Sequence, residues 1–302
     1  MIKRASIPMM IVFGAWLSVH HACGQSFMPG ESYRLGDYVE YFHGNMPLII
    51  SVPHGGYEKP DTIPERDGRF AKNQDIYTIE IAYRIQKKIG EITGMYPFIV
   101  INHLHRTRLD ANRNIKEAAN GNRHAEEVWI TYQSKLDSVA CQVEAEYGKG
   151  LFIDLHGHRH RIERMELGYL LSGDELRLDD ELLNSGLLNE YCSIRNLLET
   201  NEKGLTMTEL IRGDYSLGAL LCKRGQPCMP GEKFKMPDVG EPYFRGGYNT
   251  TRHGSSSGGT IDGIQIEVDL QTRSDKRRQK RVAGDVAYAL IEFLRLHYFP
   301  NL

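Results

Sequence analysis

The sequence lacks the usual dividers of a multidomain chain. No proline- or serine-rich linker, no block of like charge and no internal repeat interrupts its 302 residues. Residues 25–302 are therefore read as one domain, long enough to remove roughly three quarters of its unfolded surface from water. An excess of either charge is missing too. With 37 basic and 39 acidic residues the formal net charge is -2, so no global field favours nucleic acid or a membrane surface as a partner. The apolar stretch from Ile7 to Val19 is too short to span a bilayer comfortably.

What the N-terminus does contain is "MIKRASIPMMIVFGAWLSVHHACGQS". Lys3 and Arg4 precede the short apolar stretch and small residues follow it, the layout of a secretory signal over residues 1–24. Ala22 and Gly24 occupy the -3 and -1 positions of a cleavage before Gln25. The expectation is an exported protein, periplasmic or secreted. An uncleaved anchor is the plainer alternative, and lipid attachment at Cys23 comes second to cleavage because His20 and His21 fit a lipid-attachment box poorly. Export leaves Cys141, Cys192, Cys222 and Cys228 in the mature chain. In an oxidising compartment the close pair in "CKRGQPC", Cys222 and Cys228, is expected to form a disulfide. A zinc clip is the weaker reading, since no second pair sits nearby. The pairing of Cys141 and Cys192 stays open.

Four apolar runs read as strands, each handing over to polar residues at its C-terminal end. "PLIISVPHGG" reaches His54, and "YPFIVINHLHRTRLDANR" runs into Asn112 and Arg113. "GLFIDLHGHRH" reaches His156, where Gly157 suggests that the strand is ending, and "IDGIQIEVDLQTR" carries Glu267 inside a β-branched run with Arg273 just after it. Helical patterns lie between them. Ile81, Ile85 and Ile89 share one face after Asp75, a candidate cap, and further helices are expected over about 122–147, 179–199 and 278–298. Strands alternating with helices predict a sheet covered on both faces, and in such folds ligands sit at the carboxyl ends of the strands. All four polar clusters fall there.

His54, between Pro53 and two glycines, and His156, at a strand end, each have an ordinary turn or surface reading. Two such histidines facing one crevice favour a catalytic metal, since zinc takes about three protein ligands and keeps one position open. Glu58, Glu65 and Asp75 are the candidates for an acidic third ligand. His158 and His160 read either as supporting or substrate-facing groups or as a solvated loop. The run "HRTRLDANR" places Arg106, Arg108 and Arg113 beside Asp110 and Asn112. Arg113 suits a substrate carboxylate through its planar two-pronged donor set, and Asp110 could orient an arginine. Glu267 is costly inside an apolar strand unless paired or functional, the alternative being the outer face of an edge strand. "FRGGYNTTRHGSSSGG" suits a mobile active-site loop or a disordered linker, with Tyr248, Arg252 and His253 as substrate-binding candidates alongside Arg108, Asn112 and Arg273.

Together "ISVPHGG", "RLDANR", "DLHGH" and "GGYNTTRHG" followed by "IQIEVD" resemble the N-formylglutamate amidohydrolase family, in order and spacing, over roughly residues 48–273. The resemblance implies a fold like that of zinc carboxypeptidases and aspartoacylase-type deacylases, a three-layer α/β/α sandwich with a mixed central sheet. It also implies zinc ligands at His54 and His156, an Asn112–Arg113 pair for a substrate carboxylate and a catalytic carboxylate at Glu267. The carboxypeptidases write the first ligands as HxxE, whereas Tyr57 stands third after His54 here. The acidic ligand must come from farther on, and Asp75 is favoured over Glu58 and Glu65. The expected activity is zinc-dependent hydrolysis of an N-acyl amino acid or related amide bearing a free carboxylate. A carboxypeptidase, a cell-wall peptide amidase and a non-catalytic exported binding protein are the alternatives.

Overall fold

The computed structural model describes residues 27–68 and 71–302. The expected leader, its cleavage site and Cys23 lie outside the described residues. The strands are β1 (Ser32–Leu35), β2 (Val39–Phe42), β3 (Leu48–Val52), β4 (Phe98–Asn102), β5 (Gly150–His158), β6 (Met165–Gly168), β7 (Cys228–Met229) and β8 (Ile261–Asp269). They form one sheet in the order β1-β2-β4-β3-β5-β8-β6-β7. The four strands visible as apolar runs, β4, β3, β5 and β8, are its parallel centre. Antiparallel pairs add β2 and β1 on one side and β6 on the other, with β7 parallel to β6 at the edge. The sheet is mixed.

Side-chain alternation explains both cores. Leu48, Ile50 and Val52 of β3, Leu151, Ile153 and Leu155 of β5, and Ile264, Ile266 and Val268 of β8 pack with Ile81, Ile85 and Ile89 of the helix Thr78–Thr93. Val286, Leu290 and Leu294 of the helix Lys276–His297 join the same cluster. On the opposite face Ile49, Val100, Phe152 and Ile261 meet Tyr132, Leu136, Val139 and Val143 of the helix Arg123–Tyr147. Two helical layers on one mixed sheet make an α/β/α sandwich. The first face is apolar along the length of the central strands. The second changes character midway: Phe152 gives way to Asp154, His156 and His158, and Ile261 to Gln265, Glu267 and Asp269, all of them buried.

Several elements differ from the sequence-based expectation. β5 does not stop at Gly157 but continues through His158. The expected helix over 179–199 is broken into Asp180–Leu183, a 3-10 turn at Asn189–Tyr191 and Arg195–Thr200. Gly186, with φ of 87°, sits in the first break in a conformation no helix contains. The glycine-rich segment 244–259 holds the helix Tyr248–His253, whose Asn249, Thr250 and His253 are buried. Cys222 and Cys228 are neighbours but remain free thiols rather than the expected disulfide. Among the described residues no helix is long and apolar enough to cross a membrane.

Candidate metal centre and its cavity

His54 leaves the end of β3 in a turn that must pass close to the next strand. A side chain on Gly56 would meet the His103 carbonyl at 2.2 Å, so only glycine fits there. Asp75 belongs to the loop before the helix Thr78–Thr93, and it does not cap that helix. The N-cap is Tyr77, whose backbone is left-handed at φ 69° and which offers no side-chain cap. The Asp75 carboxylate turns instead to two imidazoles, with Oδ2 3.3 Å from His54 Nδ1 and 3.0 Å from His156 Nδ1. Donor atoms of a tetrahedral zinc site with bond lengths near 2.1 Å stand about 3.4 Å apart. The three groups are buried, and their ligand atoms lie within 4.8 Å of one another.

Each histidine is held from behind by a second carboxylate. Asp110 Oδ1 lies 2.6 Å from His54 Nε2, and Asp154 Oδ2 lies 2.9 Å from His156 Nε2. A carboxylate only accepts, so each Nε2 carries a hydrogen. With a cation in the space beside Asp75, each Nδ1 offers it a lone pair; without one, Nδ1–H groups donate to Asp75 and protons supply the positive charge that this buried carboxylate requires. The titration of the groups shows the strength of that requirement. Burial alone would raise Asp75 and Asp110, but hydrogen bonds from both histidines hold Asp75 well below the carboxylate range, and His54, Arg106 and Arg66 do so for Asp110. Burial disfavours charge on His156, yet Asp154, Asp75 and Glu267 outweigh it and raise this imidazole well above its ordinary value. These residues fit a divalent cation.

Behind this centre runs a buried network. Asp154 Oδ1 accepts from Ser51 Oγ at 2.8 Å and from Asn249 Nδ2 at 3.3 Å, and Ser51 in turn meets Tyr132 OH at 2.7 Å. Asn112 Oδ1 accepts the Asn249 N–H at 2.7 Å, and its amide nitrogen lies 3.1 Å from His156 Nε2. Gln133 bridges Ala111 O, Asn249 Oδ1 and His253 Nε2, each at 2.9 Å.

Glu267 is the register partner of His156 on one side and of Glu166 on the other. Its Oε1 accepts from Gln265 Nε2 at 3.0 Å, while its buried Oε2 has no hydrogen-bond partner. Burial pushes this carboxyl up to about 8, with Asp75 and Glu166 adding to the shift and His156 and Arg273 opposing it. A cavity of about 130 Å³ joins these groups, lined by His54, Asp75, His156, Asn112, Arg113 and Glu267 together with Arg106 and Phe244. Glu166 secures its rim: Oε1 lies 2.8 Å from His160 Nδ1 and Oε2 accepts the Phe244 N–H at 2.9 Å, with the His160 and Phe244 rings stacked at 4.8 Å.

The remaining candidates stand elsewhere. Glu58 is exposed, and Glu65 is exposed and faces Lys72 at 3.7 Å. Arg108 donates to Ile63 O at 2.9 Å, Arg252 pairs with Asp137 at 2.7 Å, and Tyr248 lies beside Trp129. His253 is buried behind Phe152, and His158 is held by Arg164 O at 2.7 Å. Arg273 is fully buried, donating to Val268 O at 2.9 Å, Ile76 O at 2.6 Å and His158 O at 3.0 Å. It ties the ends of β8 and β5 to the loop that carries Asp75. Sequence reading assigned no part to Asp154, Gln133, Asn249, Gln265, Phe244 or Glu166. The alternation of β5 and β8 was the one signal that pointed to Asp154 and Gln265.

No protein-family model matches the sequence, and no curated protein matches it either. Among solved structures the fold is similar to that of N-formylglutamate amidohydrolase from Ralstonia eutropha JMP134. The TM-score is 0.52 at 13% identity, over 86% of this chain and 97% of that one. A gene product of Agrobacterium tumefaciens gives a TM-score of 0.48 at 11% identity, over 86% and 95% of the two chains. The N-acetylmuramyl-L-alanine amidase of Mycobacterium smegmatis gives 0.37 at 9% identity, over 82% and 96%. At such identity the first likeness is one of fold.

Proposed function

We propose that the chain is a zinc-dependent amidohydrolase that cleaves an N-acyl amino acid, or a related amide with a free carboxylate. The observation that carries this reading is the unpartnered, buried Oε2 of Glu267 opening onto the same cavity as His54, Asp75 and His156. His54, Asp75 and His156 would hold the ion. When bound, zinc supplies Lewis acidity, lowering the pKa of water and polarising a carbonyl oxygen.

The chain's own groups account for the rest. Glu267 is kept in place by Gln265 and has its proton affinity raised towards neutrality. It takes a proton from the attacking water at Oε2 and returns it to the departing amine nitrogen. Arg113 is exposed at the cavity mouth, its backbone carbonyl fixed by Trp129 Nε1 at 2.9 Å. Among the described residues its guanidinium has no partner, which leaves both prongs for a substrate carboxylate. The small cavity admits a compact acyl group, with Phe244 screening it from solvent. The fold likeness to an N-formylglutamate amidohydrolase agrees with this reading.

Turnover of a panel of formyl and acetyl amino acids by zinc-loaded protein tests it. Glu267→Gln should lower kcat by roughly 100-fold or more with zinc content unchanged. Arg113→Ala should instead raise KM, by a margin worth about 2 kcal/mol. Zinc binding with no turnover across acyl amino acids and short peptides would leave a binding protein.

A further inference from the structure

Gln265 stands two residues before Glu267 on β8, so strand alternation puts both side chains on the polar half of one face. It is buried, and it lines the cavity shared by His54, Asp75, His156 and Glu267. Its Nε2 donates to Glu267 Oε1 at 3.0 Å. An ionised carboxylate only accepts, so while Glu267 serves as a base the amide keeps its nitrogen towards Glu267 and its oxygen turned away. That oxygen, Oε1, is buried and has no hydrogen-bond partner. Neither register neighbour supplies a side-chain donor. Gly168 of β6 has no side chain, and Asp154 of β5 is an acceptor already met by Ser51, Asn249 and His156. A buried acceptor without a donor carries a free-energy cost that a ligand able to donate removes. Gln265 Oε1 and Glu267 Oε2 are thus two unpartnered oxygens, tied to each other through one hydrogen bond between their side chains.

From this juxtaposition we infer that Gln265 reads the N–H of the scissile amide and makes the site selective for amides that carry one, a role that rests on the amidohydrolase reading of the same cavity. Oε1 accepts the substrate N–H while Nε2 keeps its hold on Glu267, so one side chain sets the distance between the leaving nitrogen and the base. Attack of water on the carbonyl carbon makes the nitrogen pyramidal. Its hydrogen stays directed at Gln265, and its new lone pair is left for the proton that Glu267 took from the water. The C–N bond then breaks. The acyl group leaves as the acid with the water's oxygen, and the amine leaves as R–NH2 with its original hydrogen and the water's proton. The nitrogen gains positive charge as it is protonated, so its bond to Oε1 is stronger at that stage than in the bound substrate. An N-alkylated amide has no hydrogen to offer and leaves Oε1 unpaired.

The test pairs the acetyl amino acid that is turned over best with the acetyl ester of the matching hydroxy acid, which has oxygen in place of the N–H. In zinc-loaded protein the ratio of kcat/KM for amide over ester should fall about 10- to 100-fold in Gln265→Met, and again in the shorter Gln265→Asn, with zinc content unchanged. Metal-free parent should bind the amide about tenfold more tightly than the ester, a preference that Gln265→Met lacks. A side chain that merely held Glu267 or the attacking water would lower turnover of both compounds equally. That result, or equal affinity of the metal-free parent for the two, would overturn the role of Gln265 and leave the amidohydrolase reading intact. Neither turnover nor binding of any acyl amino acid by the parent would overturn both.

Discussion

Asp110 and Asp154 show how much of the candidate metal centre depends on single carboxylates that never face the cavity. Each holds one histidine by Nε2, at 2.6 and 2.9 Å, and thereby decides which nitrogen is left with a lone pair. Asp110 does double duty, since Arg106 Nε donates to its other oxygen at 3.0 Å. Replacing either aspartate with asparagine keeps the volume and one acceptor but removes the charge that favours the ligating tautomer. Zinc affinity, measured by competition with a chelator, should fall about 10- to 100-fold in each variant. Affinity equal to the parent's in both would mean that the ion is held elsewhere.

At the scale of elements, Arg273 joins three backbone segments that share no sequence proximity. Its guanidinium bonds the ends of β8 and β5 and the Ile76 carbonyl, next to the left-handed Tyr77 that redirects the chain into its helix. A left-handed tyrosine costs of order 1–2 kcal/mol and persists when its surroundings over-determine it. Gly157 makes room for this strut, because a Cβ there would lie 2.2 Å from Arg273 Nε. Arg273→Met should remove the donor from three backbone carbonyls, two of them buried, and destabilise the fold by about 3 kcal/mol or more in urea unfolding. Gly157→Ala should also destabilise, by displacing the same guanidinium. Parent-like stability of Arg273→Met would show that the three carbonyls find other donors.

For the molecule as a whole, the histidines set the response to acid. Burial lowers His43, His105, His158, His253 and His297, and it takes His253 down to about 4 from an ordinary 6.5. The unfolded chain therefore binds protons on these groups at a pH where the folded chain does not. Their contribution is present above about pH 6.5 and is lost as pH falls towards 4. His156 is raised and acts in the opposite sense, its share fading as pH rises. The metal-free protein should lose thermal stability between pH 7 and 5, and His253→Gln, which retains a donor for Gln133, should flatten that loss. A slope identical in parent and variant would remove His253 from the account. Saturating zinc should raise Tm near neutrality and less at pH 5, because protons compete for His54 and His156.

The sequence by itself determined the parallel centre of the sheet and the end at which chemistry collects. Apolar runs of β-branched residues have few alternatives to buried strands, and a period of two assigns each residue to a face. Phe152, Asp154 and His156 therefore share one face whatever the rest of the chain does, as do Ile261, Gln265 and Glu267. The short outer strands β1, β2, β6 and β7 carry no such run, and the polar stretch 179–199 kept its amphipathic pattern while Gly186 broke the helix. The tertiary structure alone decided which groups meet. Asp75 and His156 are 81 residues apart, and Asn249 and Ser51 are 198 apart. Arginines that look alike in the sequence diverge accordingly, Arg113 at the cavity mouth, Arg108 bonded to a backbone carbonyl and Arg273 buried as a strut. Local pattern fixes the direction of a side chain from its own strand. Its partners depend on strand register and loop path, which only the assembled sheet supplies.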